Sequence, residues 1–462
     1  MNLTSIYYLM FLSVITLIYY VLKHEWRIYF LLVANFAFYY VSQSWYLIFL
    51  ISSILINYGL CSLWLRSRNR YMIFSAVLYN VLLLAFFKYI PIILFGNSIP
   101  NDSIWTKLVL PIGISFFSFQ AIGYVLDLYW KDGKKQASLC NFSLYMSFFP
   151  QLLAGPIARS KDFLPQIDKH KAFEYENVVS GARLILWGLF KKLVIANNLS
   201  PYTDAVFNNI NMHYGLTFVI AMIAYTIQIY TDFSGYSDIA IGSAKTLGFT
   251  LMENFRIPFF AKSVTDFWRR WHISLSSWVR DYVNTPLQYK FRGKGVIGIL
   301  IAAYITFLII GVWHGAAWNF VAFGLIQGTA ISYEVLSKDF RNRVWGYFPR
   351  FFGNILSNVL VFSFFSCCVI LLRVSLSEAG MVLSKISFNP SGFYWGSKQL
   401  LIYAGIGTTI AWLVEFVKGD ELLVDFIASR RICFRWAYYL GCTILILMIG
   451  SLNSENFIYF QF

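Results

Sequence analysis

The sequence predicts an all-α fold, a polytopic helical membrane protein, and three observations predict it. Of the 462 residues 58% are hydrophobic and only 13% charged, with 45 Phe, 31 Tyr and 15 Trp, more apolar surface than a soluble chain of this length can hide. Apolar runs long enough for a bilayer crossing, about 20 residues each, recur from end to end. Lys and Arg gather in the short intervals between those runs. The net charge of +15 would suggest nucleic acid in a soluble protein. Here the spacing points instead to basic loops held on the cytoplasmic side.

The basic clusters thread the chain. Residues 4–22 form a retained first span: it lacks a basic start, and Lys23-His24-Glu25-Trp26-Arg27 follows where a signal peptide would have a small-residue cleavage site. Two further spans joined near Ser42-Gln43-Ser44 return to Arg66-Ser67-Arg68-Asn69-Arg70. A fourth, 71–96, leads to the Asn97–Ser103 loop, and 105–130 returns to Lys131, Lys134 and Lys135. Met146–Pro156 is too short to span, is broken by two prolines, and reads as re-entrant. Residues 157–178 are polar and cytosolic. The run 179–199 requires Lys191 and Lys192 to snorkel or lie at an interface. A span at 215–232 comes next, with 235–252 as a further candidate. Asn254–Lys294 reads as short helices at the cytosolic interface. Lys338, Arg341, Arg343 and Arg350 mark the inside again; 352–373 leads out, 397–417 leads back, and 436–452 is the last span, leaving Ser451–Phe462 outside. The expectation is one integral-membrane domain over 1–462 with roughly eleven spans. The six cysteines include no CxxC pair and read as small packing residues.

Two of the five histidines sit where solvation does not explain them. From Gly295 to Tyr333 there is no Asp, Glu, Lys or Arg, and within that stretch lies Gly311-Val312-Trp313-His314-Gly315-Ala316. An ionisable side chain in hydrocarbon is costly and reads by default as functional, while the flanking glycines permit close approach and a break between two tightly joined spans. The alternative is a packed histidine bonded to a carbonyl. His272 lies in Trp268-Arg269-Arg270-Trp271-His272-Ile273-Ser274. An interfacial helix accounts for its tryptophans and arginines but not for His272 or Asp281. Two neutral imidazoles suit acyl transfer, one taking a proton from a hydroxyl that attacks a thioester or ester. As a zinc set they are poor, having no carboxylate at ligand spacing, so no metal is expected.

Four segments together resemble the membrane-bound O-acyltransferase (MBOAT) family, in the branch that O-acetylates bacterial surface polysaccharides such as alginate and peptidoglycan. They are Leu110-Pro111-Ile112-Gly113 running through Gln120 to Tyr124 and Asp127; Phe148-Phe149-Pro150-Gln151-Leu152-Leu153-Ala154-Gly155-Pro156-Ile157; Tyr230-Thr231-Asp232-Phe233-Ser234-Gly235-Tyr236-Ser237-Asp238; and Gly311 to Trp318. They cover about 105–330. The resemblance implies helices around a central channel, His314 as the catalytic histidine and His272 as its second. Asp232, Ser234, Tyr236 and Asp238, with Trp313, Asn319 and Gln120, would line or support the channel. Two departures are Gln327, where many relatives carry a histidine, and Phe362–Arg373, which lacks an expected Trp.

The implied activity moves acetyl groups from a cytosolic donor, acetyl-CoA, to a cell-surface polysaccharide, with no bound cofactor. The implied setting is the cell inner membrane as a multi-pass protein, with a periplasmic esterase-like acetyltransferase as partner and no nucleic acid. The ending Phe457-Ile458-Tyr459-Phe460-Gln461-Phe462 is similar to the Phe-x-Tyr-x-x-Phe ending of the small partner of the teichoic-acid D-alanylating member. That likeness makes Tyr459 an acyl relay; a docked aromatic tail is the other reading. The competing class is a transporter or flippase of a small molecule or lipid-linked sugar, which broken helices and midplane polar residues also suit. An inactive membrane scaffold is a third.

Overall fold

The computed structural model describes residues 2–90, 110–131, 133, 135–153, 155–386 and 393–452. Among them every regular element is helical. The chain groups into two compact units: Met1–Ile185 with Tyr236–Glu253, and Leu186–Gly235 with Asn254–Phe462.

The first unit contains α1 (Ile6–Val21), α2 (His24–Gln43), α3 (Leu47–Ser67), α4 (Arg70–Lys88), α5 (Ile114–Trp130), α6 (Leu139–Ser147), α7 (Phe149–Leu152) and α8 (Ser160–Ile167). Local chemistry sets several ends: Ser5 Oγ accepts the Tyr8 N–H at the start of α1, and Asn69 Oδ1 accepts the Tyr71 N–H at the start of α4. Apolar faces alone would let α3 and α4 slide. Buried Asn57 and Asn80 fix their register, Asn80 Nδ2 donating to Asn57 Oδ1 at 2.8 Å. Between α6 and α7 the backbone turns at Phe148 (ψ 108°), and the N–H of Phe149 goes to Asn35 Oδ1 of α2 at 3.0 Å. This broken segment, buried at each of its described residues, is the one expected to be re-entrant.

Next come α9 (Tyr175–Phe190), a π-helical turn (Lys191–Ala196), α10 (Asn197–Phe207) and α11 (Leu216–Thr246); α9 and α11 contribute residues to both units. The second unit continues with α12 (Val264–Arg270), α13 (Ile273–Val279), a second π turn (Arg280–Asn284), α14 (Thr285–Lys290), α15 (Val296–His314), α16 (Trp318–Leu336), α17 (Lys338–Gly346), α18 (Arg350–Val369), α19 (Leu376–Lys385), α20 (Lys398–Lys418), α21 (Leu423–Ala428) and α22 (Ile432–Ile449). The expected run of short helices through Asn254–Lys294 is what forms.

α15 and α16 pack closely because glycine permits it. A Cβ on Gly311 would lie 2.3 Å from the Phe320 carbonyl oxygen, and one on Gly324 2.5 Å from that of Phe307. The C-terminal side of α22 docks on the first π turn: Ser451 N–H donates to Leu193 O, and Asn198 Nδ2 to Ile449 O.

By length and composition, seven continuous helical runs among the described residues can cross a membrane, or eight if α16 and α17, bent by 71°, count as one span. This is a multi-pass membrane protein. The number is lower than the eleven expected for identifiable reasons. α1 has 16 residues. His24–Ser67 is a single run of 44 residues, about 66 Å at 1.5 Å per residue, twice the ~30 Å hydrocarbon core; it is broken at Ser44 (φ 29°, ψ −113°). Parts of the expected spans 71–96 and 105–130 lie outside the described residues, as do the Asn97–Ser103 loop and Lys134. The run 179–199 is divided by the π turn.

Candidate active site

α15 stops at His314 because Gly315 is fully extended and Trp318 then begins α16. A Cβ on Gly315 would lie 2.1 Å from Phe320 Cε2, so any other residue at this joint displaces that ring. The break leaves His314 at a helix end, 4% exposed. Its ring contacts Trp313 at 4.6 Å and the edge of Phe323 at 6.0 Å. The same Trp313 indole lies 6.3 Å from the ring of His272. Both expected histidines therefore touch one tryptophan in the second unit.

His272 occupies the joint between α12 and α13 with left-handed backbone angles (φ 44°, ψ 53°), costly for a residue with a Cβ and found where surroundings enforce it. Asn254 enforces it here. Its backbone carbonyl accepts the Ile273 N–H at 2.8 Å. Its side-chain Oδ1 takes the Ser274 N–H at 3.2 Å, the Ser274 hydroxyl at 2.8 Å and His272 Nδ1 at 3.1 Å. Phe233 stands edge-on to the imidazole at 4.6 Å, with Phe255 beside it. Burial in this aromatic wall pushes the His272 imidazole down to about 3, so it is neutral near pH 7.

α12 is itself clamped from α16. Trp268 Nε1 donates to Gln327 Oε1 at 3.1 Å, and Glu334, two turns further on, accepts the Val264 and Thr265 N–H groups and the Thr265 hydroxyl. Gln327, which departs from the family pattern, thus has a defined structural duty.

Asp232 is not solvated. It pairs with Lys192 Nζ at 2.7 Å, the two side chains 4% and 3% exposed. The pairing follows from a close helix crossing: a Cβ on Gly235 would lie 2.7 Å from the Gly188 carbonyl, and Lys192 follows Gly188 by one turn. Of the two expectations for Lys191 and Lys192, snorkelling or an interfacial place, the first is corrected, since both are buried in protein. Lys191 Nζ sits 5.9 Å from the centre of the Tyr230 ring, and the Tyr230 hydroxyl bonds Glu415 of α20. Ser234 is buried in this unit, and Asn319 Nδ2 donates to the Leu371 carbonyl at 2.8 Å.

The remaining candidates lie in the first unit. Gln120 Nε2 donates to the Tyr145 carbonyl at 3.4 Å, which also receives Gln151 Nε2 at 2.9 Å, so two of the four sequence segments meet there. Tyr236 bonds Asn2 through its hydroxyl, and Asp238 is half-buried. Tyr459 lies outside the described residues. Sequence reasoning missed Asn254, Lys192 as the partner of Asp232, and Glu415. A buried lysine in an apolar run was the available signal for the second; none marked the others.

Seven or eight helices long and apolar enough to span among the described residues, and two buried imidazoles that each contact one indole, define an integral-membrane protein with acid–base groups buried in its second unit. The chain belongs to the membrane-bound O-acyltransferase family, MBOAT, whose family model matches residues 134–377. That segment includes His272, His314, Asp232 and Asn254 but not Gln120 or Tyr459. The chain is 40% identical over 233 residues to a protein named Probable alginate O-acetylase AlgI of Azotobacter vinelandii, covering 50% of this chain and 45% of that one. It is 33% identical over 341 residues to the peptidoglycan O-acetyltransferase of Helicobacter pylori, covering 66% and 62%. It is 30% identical over 270 residues to the teichoic acid D-alanyltransferase of Bacillus subtilis, covering 56% and 67%. The matched segments span about half the length of the alginate O-acetylases.

Proposed function

We propose that this chain is a membrane O-acetyltransferase that takes acetyl groups from a cytosolic donor and delivers them for O-acetylation of a cell-surface polysaccharide, alginate-like or peptidoglycan. The observation that carries the reading is the pair of buried imidazoles, His314 and His272, both in ring contact with Trp313 in a chain of this family. His314 acts as general base. A hydroxyl oxygen attacks the thioester carbonyl as its proton passes to His314, the carbon–sulfur bond breaks, and the proton leaves on the departing thiol. His272, neutral at working pH, positions or polarises the reacting group. A dry aromatic site strengthens every hydrogen bond to the developing oxyanion.

Acetyl-CoA is the proposed donor, the inner membrane the proposed location, and a periplasmic esterase-like acetyltransferase the proposed partner that hands acetate to the glycan. Asp232, Ser234, Asn319 and Trp313 are proposed to support the site from within its own unit. Gln120, Tyr236 and Asp238 remain proposed channel residues on the family likeness. The resemblance of the tail supports Tyr459 as an acyl carrier; full acetylation in a Tyr459→Phe strain removes it.

The test is surface-glycan O-acetyl content in a deletion strain complemented with wild type, His314→Ala or His272→Ala at matched membrane levels. Loss in the deletion strain, restored by wild type and not by His314→Ala, is the expected result. Unchanged acetylation of every surface glycan in the deletion strain overturns the proposal.

A further inference from the structure

The neutral imidazole has two tautomers, and which nitrogen carries the hydrogen decides what His272 can do for a substrate. The surroundings of Asn254 settle this by elimination. A backbone N–H can only donate, so the Ser274 N–H at 3.2 Å identifies the Asn254 atom facing it as the carbonyl oxygen, not the amide nitrogen. The Ser274 hydroxyl, at 2.8 Å from the same oxygen, agrees. An oxygen that accepts these bonds cannot donate to His272. His272 Nδ1, 3.1 Å away, must therefore hold the hydrogen, and the lone pair of the neutral ring is on Nε2.

We propose that Asn254 is a positioning residue that locks His272 as the Nδ1–H tautomer, so that Nε2 is the ring's hydrogen-bond-accepting nitrogen. One residue does this twice over: its backbone carbonyl holds the Ile273 N–H and so the left-handed turn at His272, while its side chain holds the ring. The inference deepens the acyltransferase reading and rests on it only for the catalytic consequence; the tautomer itself is independent of what the site transfers. The charged and titratable groups on the elements that carry the ring's contacts are these: the segment of Asn254 and Phe255 carries Arg256, which is exposed. α11 carries Asp232, ion-paired to Lys192, next to the facing Phe233. α15 carries His314 beyond Trp313. α12 carries Arg269, which is exposed, and Asp266 with Arg270, the latter also bonded to Asp420.

The experiment is magic-angle-spinning NMR of the full chain in lipid bilayers with ¹³C,¹⁵N-histidine, the His272 signals assigned by difference against His272→Gln. Wild type is expected to show the Nδ1–H pattern for His272, and Asn254→Leu to lose it; an Nε2–H ring in wild type, or an unchanged tautomer in Asn254→Leu, overturns the inference. Because Asn254→Leu can fail to fold, Asn254→Asp provides a second arm. It keeps every acceptor contact but adds a negative charge beside Nδ1–H, which favours the imidazolium and moves the acid limb of acetyl transfer to higher pH. A structural role alone leaves that limb in place, and an unmoved limb in a folded Asn254→Asp protein counts against the lock. For folded Asn254→Leu the expected cost of losing the oriented ring is about 10²-fold in kcat, with KM for the donor unchanged. An Nδ1–H tautomer together with full activity in His272→Ala would uphold the lock and overturn the catalytic assignment of His272, so the two failures are distinguishable.

Discussion

At the scale of single residues, the site depends on groups taken out of solvent in pairs or among rings. The proposed role of His314 as base predicts that His314→Ala lowers acetyl transfer by about 10²–10⁴-fold at unchanged membrane levels, measured by acetate released from the surface glycan. Lys192 and Asp232 make the opposite kind of prediction. With both ends buried, cutting one partner leaves an uncompensated charge, and Lys192→Met or Asp232→Leu is expected to cost about 3–5 kcal/mol, while the double variant regains most of it. Thermal unfolding in detergent reads this directly. A double variant that is as stable as wild type yet inactive would assign the pair to the chemistry, and one that is stable and active would assign it to the fold.

At the scale of elements, the geometry of the candidate site is a consequence of helix joints. α15 and α16 approach closely enough to strand His314 at their junction only because Gly311, Gly315 and Gly324 lack side chains. Gly324→Val sets a methyl-bearing carbon against the Phe307 carbonyl. It is expected to cost about 1–3 kcal/mol or more and to lower activity as well as Tm, whereas Gly405→Val, where a Cβ meets open space, is expected to lower neither. The clamp of α12 on α16 gives a milder case. Gln327→Leu leaves the Trp268 indole N–H without its acceptor, at about 1–3 kcal/mol, and shifts Tm without changing the pH dependence of transfer.

For the whole molecule, burial of His272 couples stability to pH. The folded ring titrates at about 3 and the unfolded one at 6.5. The unfolded state therefore binds the proton first. The stabilisation is complete above pH 6.5 and is lost as pH falls towards 3, at up to about 1.4 kcal/mol per pH unit. Denaturant titrations at pH 7, 6 and 5 are expected to show this slope, and His272→Gln to flatten it. An equal slope in wild type and His272→Gln would assign the loss to other groups.

Composition and the spacing of apolar runs were enough to specify a helical multi-pass membrane protein, because the bilayer demands long apolar helices whatever their neighbours. They were also enough to single out His314, since an imidazole in a run without other charges stands out against that requirement, and His272, which the interfacial role of its neighbouring tryptophans and arginines leaves unexplained. The joint at Gly315 was legible for the same reason: glycine beside a buried polar residue signals close approach. The partners of those residues were not legible. Asn254 lies 18 residues before His272, and Lys192 forty before Asp232; contacts at such distances depend on which helix faces meet, and many amide or lysine positions satisfy the local pattern equally well. Only the tertiary structure decided that one asparagine oxygen collects three donors at the α12–α13 joint, that two buried charges neutralise one another, and that one indole joins the two imidazoles. Packing selects those pairs because a buried polar group left without a partner costs more than the contact itself contributes.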